Sequence, residues 1–173
     1  MPYYIKRKKK SGSGRSELQK WIAKLDKVIS LYVRMRDSKE FHYRYFRCIS
    51  CGQLKPIDQA DCGHYVSRTH MSLRFDTRNV NAECRACNRF SADHLIGYRA
   101  NLVMRLGKRS FKEKYPNILI GAPGTVELVK KLGEQQVRLL ELQKNETRRW
   151  SVWELQELYK YYSGLILKMK EEM

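Results

Sequence analysis

Apolar residues recur every three or four positions early in the chain, a period typical of an amphipathic α-helix with one buried face. The pattern predicts a helix over about residues 16–36. Ser16 and Gln19 have the spacing of a capping box, in which each side chain bonds the other residue's backbone N–H. The polar and aromatic stretch 37–47 that follows is predicted to be a loop. The apolar stripe comprises Leu18, Trp21, Ile22, Leu25, Val28, Ile29 and Tyr32.

Two further helices are predicted near the end of the chain. Helical spacing follows the glycine- and proline-rich break at 121–124, although Gly133 weakens this pattern. The final helix begins at a second capping box, formed by Ser151 and Glu154. Such stripes usually pack into a core. The alternative is a seam between two copies, so a homodimer is a possible assembly.

The middle of the chain changes from extended to helical patterning. Two short segments, about 62–67 and 72–75, predict an antiparallel hairpin whose loop contains His70. From Cys84 onward the apolar spacing predicts one helix that ends at Gly107. We therefore expect a small hairpin followed directly by a helix.

Four of the five cysteines form two tight pairs, Cys48-x-x-Cys51 and Cys84-x-x-Cys87. Each pair can wrap one side of a zinc ion, and together they complete a closed tetrahedral structural site. The expected fold class is α+β, with a small zinc-clamped centre flanked by N- and C-terminal helices. Cys62 is left over, and we interpret it as a small buried apolar residue.

Charge points to a polyanionic partner. The chain has 35 Lys and Arg against 18 Asp and Glu, a net charge of +17. The basic residues run through the whole chain, which favours nucleic acid over a membrane. Residues 1–15 are predicted to be a flexible basic arm, in which Lys8, Lys9 and Lys10 are candidate DNA contacts or simply solvated charges. No signal or spanning segment is evident, so we expect the protein in the cytoplasm.

These patterns divide the chain into four parts. We expect the basic arm at 1–15, an N-terminal helix at 16–40, a zinc-clamped core at 41–115 and a helical extension at 116–173. The core would carry the chemistry, because the zinc ligands enclose its polar residues.

The segment between the cysteine pairs contains Asp61, His64 and Asn79, and Asn88 directly follows the second pair. These residue types can cut a phosphodiester with one metal ion. An imidazole can take a proton from the attacking water. An asparagine can fix the orientation of that imidazole. Oxygen ligands can hold a hard divalent cation beside the phosphate.

The order Cys-x-x-Cys, His, Asn, Cys-x-x-Cys-Asn resembles the HNH, or ββα-metal, endonuclease motif in its zinc-supported form. More closely, five ordered motifs between about residues 20 and 107 resemble the phage NinG recombination proteins, also called Rap. The motifs are Lys24-Leu-Asp-Lys-Val-Ile-Ser-Leu-Tyr-Val-Arg-Met-Arg36, Cys48-Ile-Ser-Cys-Gly52, Asp61-Cys-Gly-His-Tyr65, Arg74-Phe-Asp-Thr-Arg-Asn79 and Cys84-Arg-Ala-Cys-Asn-Arg-Phe90.

This resemblance implies a phage-encoded endonuclease that acts in the host cytoplasm on branched DNA such as Holliday junctions and D-loops. It implies that His64 is the general base, that Asn79 orients the catalytic loop and that Asn88 occupies the third motif position. The alternative is a non-catalytic zinc protein that binds DNA in recombination. An RNA-binding zinc protein is a third interpretation.

Two departures from the HNH motif affect the expected ligands of the catalytic divalent ion. Many HNH enzymes have Asp directly before the base, whereas this chain has Gly63 there and Asp61 two residues earlier. Asn88 replaces a frequent histidine ligand, which favours the oxygen-preferring ions Mg²⁺ or Mn²⁺. Asp61 and Asn88 are thus the candidate ligands, with Asp93 and His94 in reserve.

Arginines surround these motifs and are candidate phosphate contacts. Any one of them could equally be a solvated surface charge. The four are Arg68, Arg74, Arg85 and Arg89.

Overall fold

A computed structural model describes residues 14–173, so the predictions for residues 1–13, including Lys8, Lys9 and Lys10, lie outside the described residues. The described part has five α-helices and two two-stranded antiparallel sheets, which confirms the α+β class. No helix within it is long and apolar enough to cross a membrane. The elements are α1 Glu17–Ser38, β1 Tyr45–Arg47, β2 Leu54–Pro56, β3 Ala60–His64, β4 Val80–Cys84, α2 Arg85–Phe90, α3 His94–Lys114, α4 Thr125–Gln143 and α5 Val152–Glu171.

Helices α1 and α5 pack against each other, and both begin at the predicted capping boxes. The Ser16 hydroxyl accepts from the Gln19 N–H at 3.2 Å, and the Gln19 side chain accepts from the Ser16 N–H at 3.0 Å. Leu25 and Leu155 are fully buried where the helices meet. The apolar stripes of these two helices are therefore used within one chain.

Helices α3 and α4 form a second close pair, and two glycines make their approach possible. A Cβ at Gly107 would collide with the Val129 carbonyl, and a Cβ at Gly133 would collide with the Val103 carbonyl. The prediction that the helix ends at Gly107 is wrong, because the missing side chain serves packing rather than termination.

The helix predicted from Cys84 to Gly107 is instead two helices. α2 ends at Phe90, and α3 starts at His94 and continues to Lys114. His94 at the start of α3 and Asn88 of α2 line the same cavity.

The central hairpin pairs β3 with β4, in the register Asp61 opposite Glu83 and His64 opposite Val80. The predicted second strand at 72–75 is wrong, because those residues lie in turns within a long loop. The stretch 37–47, predicted to be a loop, contains a 3₁₀ turn and strand β1, which pairs with β2.

A buried carboxylate joins α1 to the hairpin and to α3. Asp37 accepts from the Ala82 N–H at 2.7 Å and is paired with Arg36 and with Arg105 of α3. Arg36 also donates to the carbonyl of Val80. Burial alone would raise the pKa of Asp37, but the two guanidinium groups lower it to about 2. This network joins the end of α1 to strand β4 of the hairpin.

Candidate functional site

The four paired cysteines meet at one point. Their Sγ atoms all lie within 4.8 Å of one another, as the four sulfur ligands of a tetrahedral zinc site must. The Cys84 N–H also donates to the Cys48 sulfur at 3.3 Å, a contact that stabilises a thiolate. Cys48, Cys51, Cys84 and Cys87, here named the cysteine cluster, could therefore hold a structural metal such as zinc.

Local turns bring each cysteine pair together. The first pair occupies the turn between β1 and β2, where Gly52 has a φ of 68° and its N–H bonds the Cys48 carbonyl at 2.9 Å. In the second pair, Cys84 ends β4 and Cys87 lies in the first turn of α2. The remaining cysteine, Cys62, packs against the α1–α5 core, and burial raises the pKa of its thiol to about 12.

A polar cavity of about 530 Å³ lies where α1, β3 and α2 meet. It brings together three of the predicted site residues, Asp61, His64 and Asn88. We call it the polar cavity. Its other polar lining residues are Asp26, Ser30, Arg34, Arg68, Arg74 and Arg89.

Both carboxylate oxygens of Asp61 receive hydrogen bonds. Arg89 donates to them at 2.6 and 2.9 Å, and the Asn88 Nδ2 donates to Oδ2 at 3.2 Å. Arg85 lies 3.9 Å away and also donates to the Asp58 carbonyl. Burial would raise the pKa of Asp61, but the bonds from Arg89 and Asn88 outweigh it and lower that pKa. Asp61 is thus an anion, and any cation bound there must displace arginine donors.

His64 ends β3 and is partly buried at the polar cavity. Its Nε2 lies 3.2 Å from the Arg74 carbonyl. A carbonyl can only accept, so Nε2 carries the hydrogen and Nδ1 is the basic nitrogen. Burial lowers the pKa of His64 below its usual 6.5, and the charges of Arg68 and Arg74 lower it further. The neutral, proton-accepting form is therefore the main form at pH 7.

Asn79 is fully buried and holds the long loop between β3 and β4. Its Oδ1 accepts from the Val66 N–H at 2.7 Å, and its Nδ2 donates to the carbonyls of Val66 and Leu73 at 2.9 and 3.1 Å. These bonds shape the loop that presents the Arg74 carbonyl to His64. Asn79 therefore acts on the imidazole through the loop backbone.

The four predicted arginines have different surroundings. Arg68, Arg74 and Arg89 line the polar cavity, whereas Arg85 does not. Arg74 is held by a bidentate pair with Asp26 of α1, at 2.7 and 3.0 Å.

Sequence reasoning missed the contribution of α1 to this cavity. Asp26, Ser30 and Arg34 lie at four-residue spacing on one face of the helix. That spacing was visible in the sequence, but nothing local showed that this face meets β3.

Glu83 was also missed. It is fully buried in β4, and its Oε1 lies 2.7 Å from the Nδ1 of His94 and 2.5 Å from the Ser50 hydroxyl. His94 lines a second cavity of about 440 Å³ together with His64 and Asn88. Asp93, the other reserve ligand, precedes α3 and lines neither cavity.

The fold and the cysteine cluster define a small α+β protein with a candidate structural metal centre. Residues 5–117 match the family model described as Bacteriophage Lambda NinG protein. The chain belongs to the NinG family.

Individual relatives agree with this assignment. Over 94 residues, 54% of this chain, it is 35% identical to protein ninG of Escherichia phage 933W and 34% identical to that of Escherichia phage lambda. It is 36% identical over 88 residues to protein ninG of Salmonella phage P22. These alignments span 40–43% of the relatives' own length. No solved structure matches the chain.

Proposed function

We propose that this chain is a metal-dependent endonuclease of the HNH, or ββα-metal, type that cuts branched DNA in the host cytoplasm. The single observation that carries the proposal is the polar cavity. There, hairpin β3–β4 and helix α2 bring Asp61, His64 and Asn88 together beside the cysteine cluster. A strand-ending imidazole, a carboxylate and an amide on the following helix form a one-metal phosphodiesterase site.

His64 is the proposed general base. Its Nδ1 takes a proton from the attacking water while the Arg74 carbonyl holds Nε2. The water oxygen bonds to phosphorus, the opposite P–O bond breaks, and the released sugar oxygen takes up a proton from solvent. Asn79 positions the base by holding the loop, so its role is indirect.

Asp61 and Asn88 are the proposed protein ligands of Mg²⁺ or Mn²⁺, and their oxygen atoms suit these hard ions. Such an ion, held by these two residues, would neutralise charge on the phosphate and the leaving oxygen. Arg89 and Arg85 balance Asp61 in the structure. Once released from the carboxylate, both arginines can contact the DNA backbone.

The arginines at the polar cavity and the charge of +17 support a DNA substrate. The preference for Holliday junctions and D-loops comes from the resemblance to phage recombination proteins. A homodimer is part of this proposal, because two sites would cut opposed strands of a junction. The apolar stripes of α1 and α5 pack against each other within one chain and do not support a dimer interface. The homodimer is therefore proposed only because a junction has two opposed strands to cut.

The test is cleavage of a labelled four-way junction in Mg²⁺ or Mn²⁺ by zinc-loaded protein. His64→Ala should reduce cleavage by at least about a hundredfold, the usual contribution of a general base. The control is His42→Asn, which changes an exposed histidine at a left-handed position that asparagine tolerates. It should cut normally. Tight junction binding without cutting, in either ion, would instead support the DNA-binding accessory protein.

A further inference from the structure

Glu83 is a fully buried acidic residue that forms no ion pair with Lys or Arg within residues 14–173. Its Oε1 accepts from the Ser50 hydroxyl and from the Nδ1 of His94, whereas Oε2 has no hydrogen-bond partner within residues 14–173. The side chain lies against Gly63, where any Cβ would collide with it. A zinc ion bound by four thiolates is itself net negative and cannot balance Glu83. Such a buried group needs a functional or structural explanation.

His94 lines the second cavity and contacts Glu83 through its Nδ1. Glu83 can only accept at this contact, so Nδ1 carries the hydrogen and Nε2 presents a lone pair. Among the described residues, Nε2 has no hydrogen-bond partner, and His94 shares its cavity with His64 and Asn88. A histidine whose second nitrogen is held by a carboxylate is the usual arrangement of a metal-ligating imidazole.

Asn88 connects this histidine to the proposed ion. It lines both cavities, and its Nδ2 points to Asp61. Its Oδ1 makes no hydrogen bond within the described chain and remains free to bind a cation.

We infer that the Nε2 of His94 is a ligand of the divalent ion next to Asn88, and that Glu83 positions this imidazole. The inference deepens the proposed function and rests on it for the role of the ion. An imidazole nitrogen among the ligands changes which divalent ion should bind most tightly. Imidazole suits transition ions, and Mg²⁺ prefers oxygen alone, so Mn²⁺ should be bound more tightly than Mg²⁺. A cation on the ring also offsets the charge of the buried carboxylate.

The experiment measures Mn²⁺ binding without DNA. Zinc-loaded full chain is titrated with Mn²⁺, and electron paramagnetic resonance follows the loss of the free-ion signal. The native chain should bind Mn²⁺, and His94→Ala should bind it at least about tenfold more weakly. Glu83→Gln should weaken binding by about 10–100-fold, the usual effect of losing the carboxylate partner of a ligand. His42→Asn should bind as the native chain does.

A second variant keeps the test valid if His94→Ala disturbs the start of α3. His94→Asn replaces the nitrogen ligand by an oxygen ligand and leaves Asp93, the N-cap residue of α3, unchanged. It should lose the preference for Mn²⁺ over Mg²⁺ while its circular dichroism and zinc content stay native.

Equal Mn²⁺ affinity in native and His94 variants, or no Mn²⁺ binding by the native chain, would overturn the inference. The proposed function fails by a different result, the absence of junction cleavage. Cleavage that persists unchanged in His94→Ala would leave the nuclease standing and remove His94 from its site.

Discussion

The cysteine cluster and the polar cavity adjoin the same hairpin, but the chain builds them in different ways. All four cluster ligands come from two turns, with two residues between the cysteines of each pair. The cavity takes its groups from α1, β3, the long loop and α2, so its residues lie far apart in sequence. Local spacing is enough to define a metal cluster. A site assembled across elements depends on how those elements pack.

The two regions also differ in how their charges are held. Cluster thiolates are supported by backbone N–H groups and would be neutralised by the metal itself. In the cavity, side chains balance one another, as in the pairs Arg74–Asp26 and Arg89–Asp61. Removing a cluster ligand should therefore affect folding, and changing a cavity group should mainly affect chemistry.

Loss of a cluster cysteine should have the largest effect. Cys48→Ser should release the metal and unfold the hairpin region, because structural zinc contributes about 10 kcal/mol or more in small metal domains. Thermal unfolding and zinc content by mass spectrometry measure this. Cys62→Ala is the matched control; it removes a half-buried cysteine outside the cluster and should keep its zinc. If both variants lose zinc equally, the cluster is not the metal site.

Asp37→Asn should disturb the framework of the cavity and leave the cluster loaded. Breaking a buried ion pair costs about 3 kcal/mol or more, and urea unfolding at pH 7 measures it. The carboxylate pKa falls from 3.8 to about 2 on folding, so its contribution is present above pH 4 and is lost as pH falls toward 2.

The loss of the Asp37 contribution on acidification should amount to about 2 kcal/mol. Asp37→Asn should not show this loss of unfolding free energy on acidification. The control is Asp58→Asn, which changes an exposed carboxylate. It should unfold like the native chain at pH 7 and at acidic pH. A native-like unfolding curve for Asp37→Asn would show that the network does not support the cavity.

The pH dependence of cleavage should show the smallest change. His64 must be neutral to accept a proton, and burial keeps its pKa below 6.5. Junction cutting at saturating metal should therefore be nearly constant from pH 8 to about 6.5 and should fall only at lower pH. A fall that begins above pH 7 would mean that another group acts as the base.

Several elements could be predicted because their signals are local. The capping boxes at Ser16 and Ser151 depend on side chains three residues apart, and both helices start where these residues indicate. Gly107 and Gly133 misled the prediction, since a glycine that ends a helix and one that admits a neighbouring helix look the same in sequence. The strand predicted at 72–75 is wrong because these residues form turns, and the buried Asn79, whose role depends on the fold, bonds the carbonyls of Val66 and Leu73 there.

The order of residues is enough to establish the cysteine pairs, the amphipathic helices, the basic charge and the motifs shared with the NinG family. Each depends on residue identity and short spacing, which the chain carries into any conformation. Tertiary structure alone decided that Asp26 and Arg34 of α1 face His64, that Glu83 is buried against Gly63, and that His94 joins the second cavity. These placements follow from the packing of α1 and α3 on the hairpin, because burial and neighbouring charges exist only once distant segments meet.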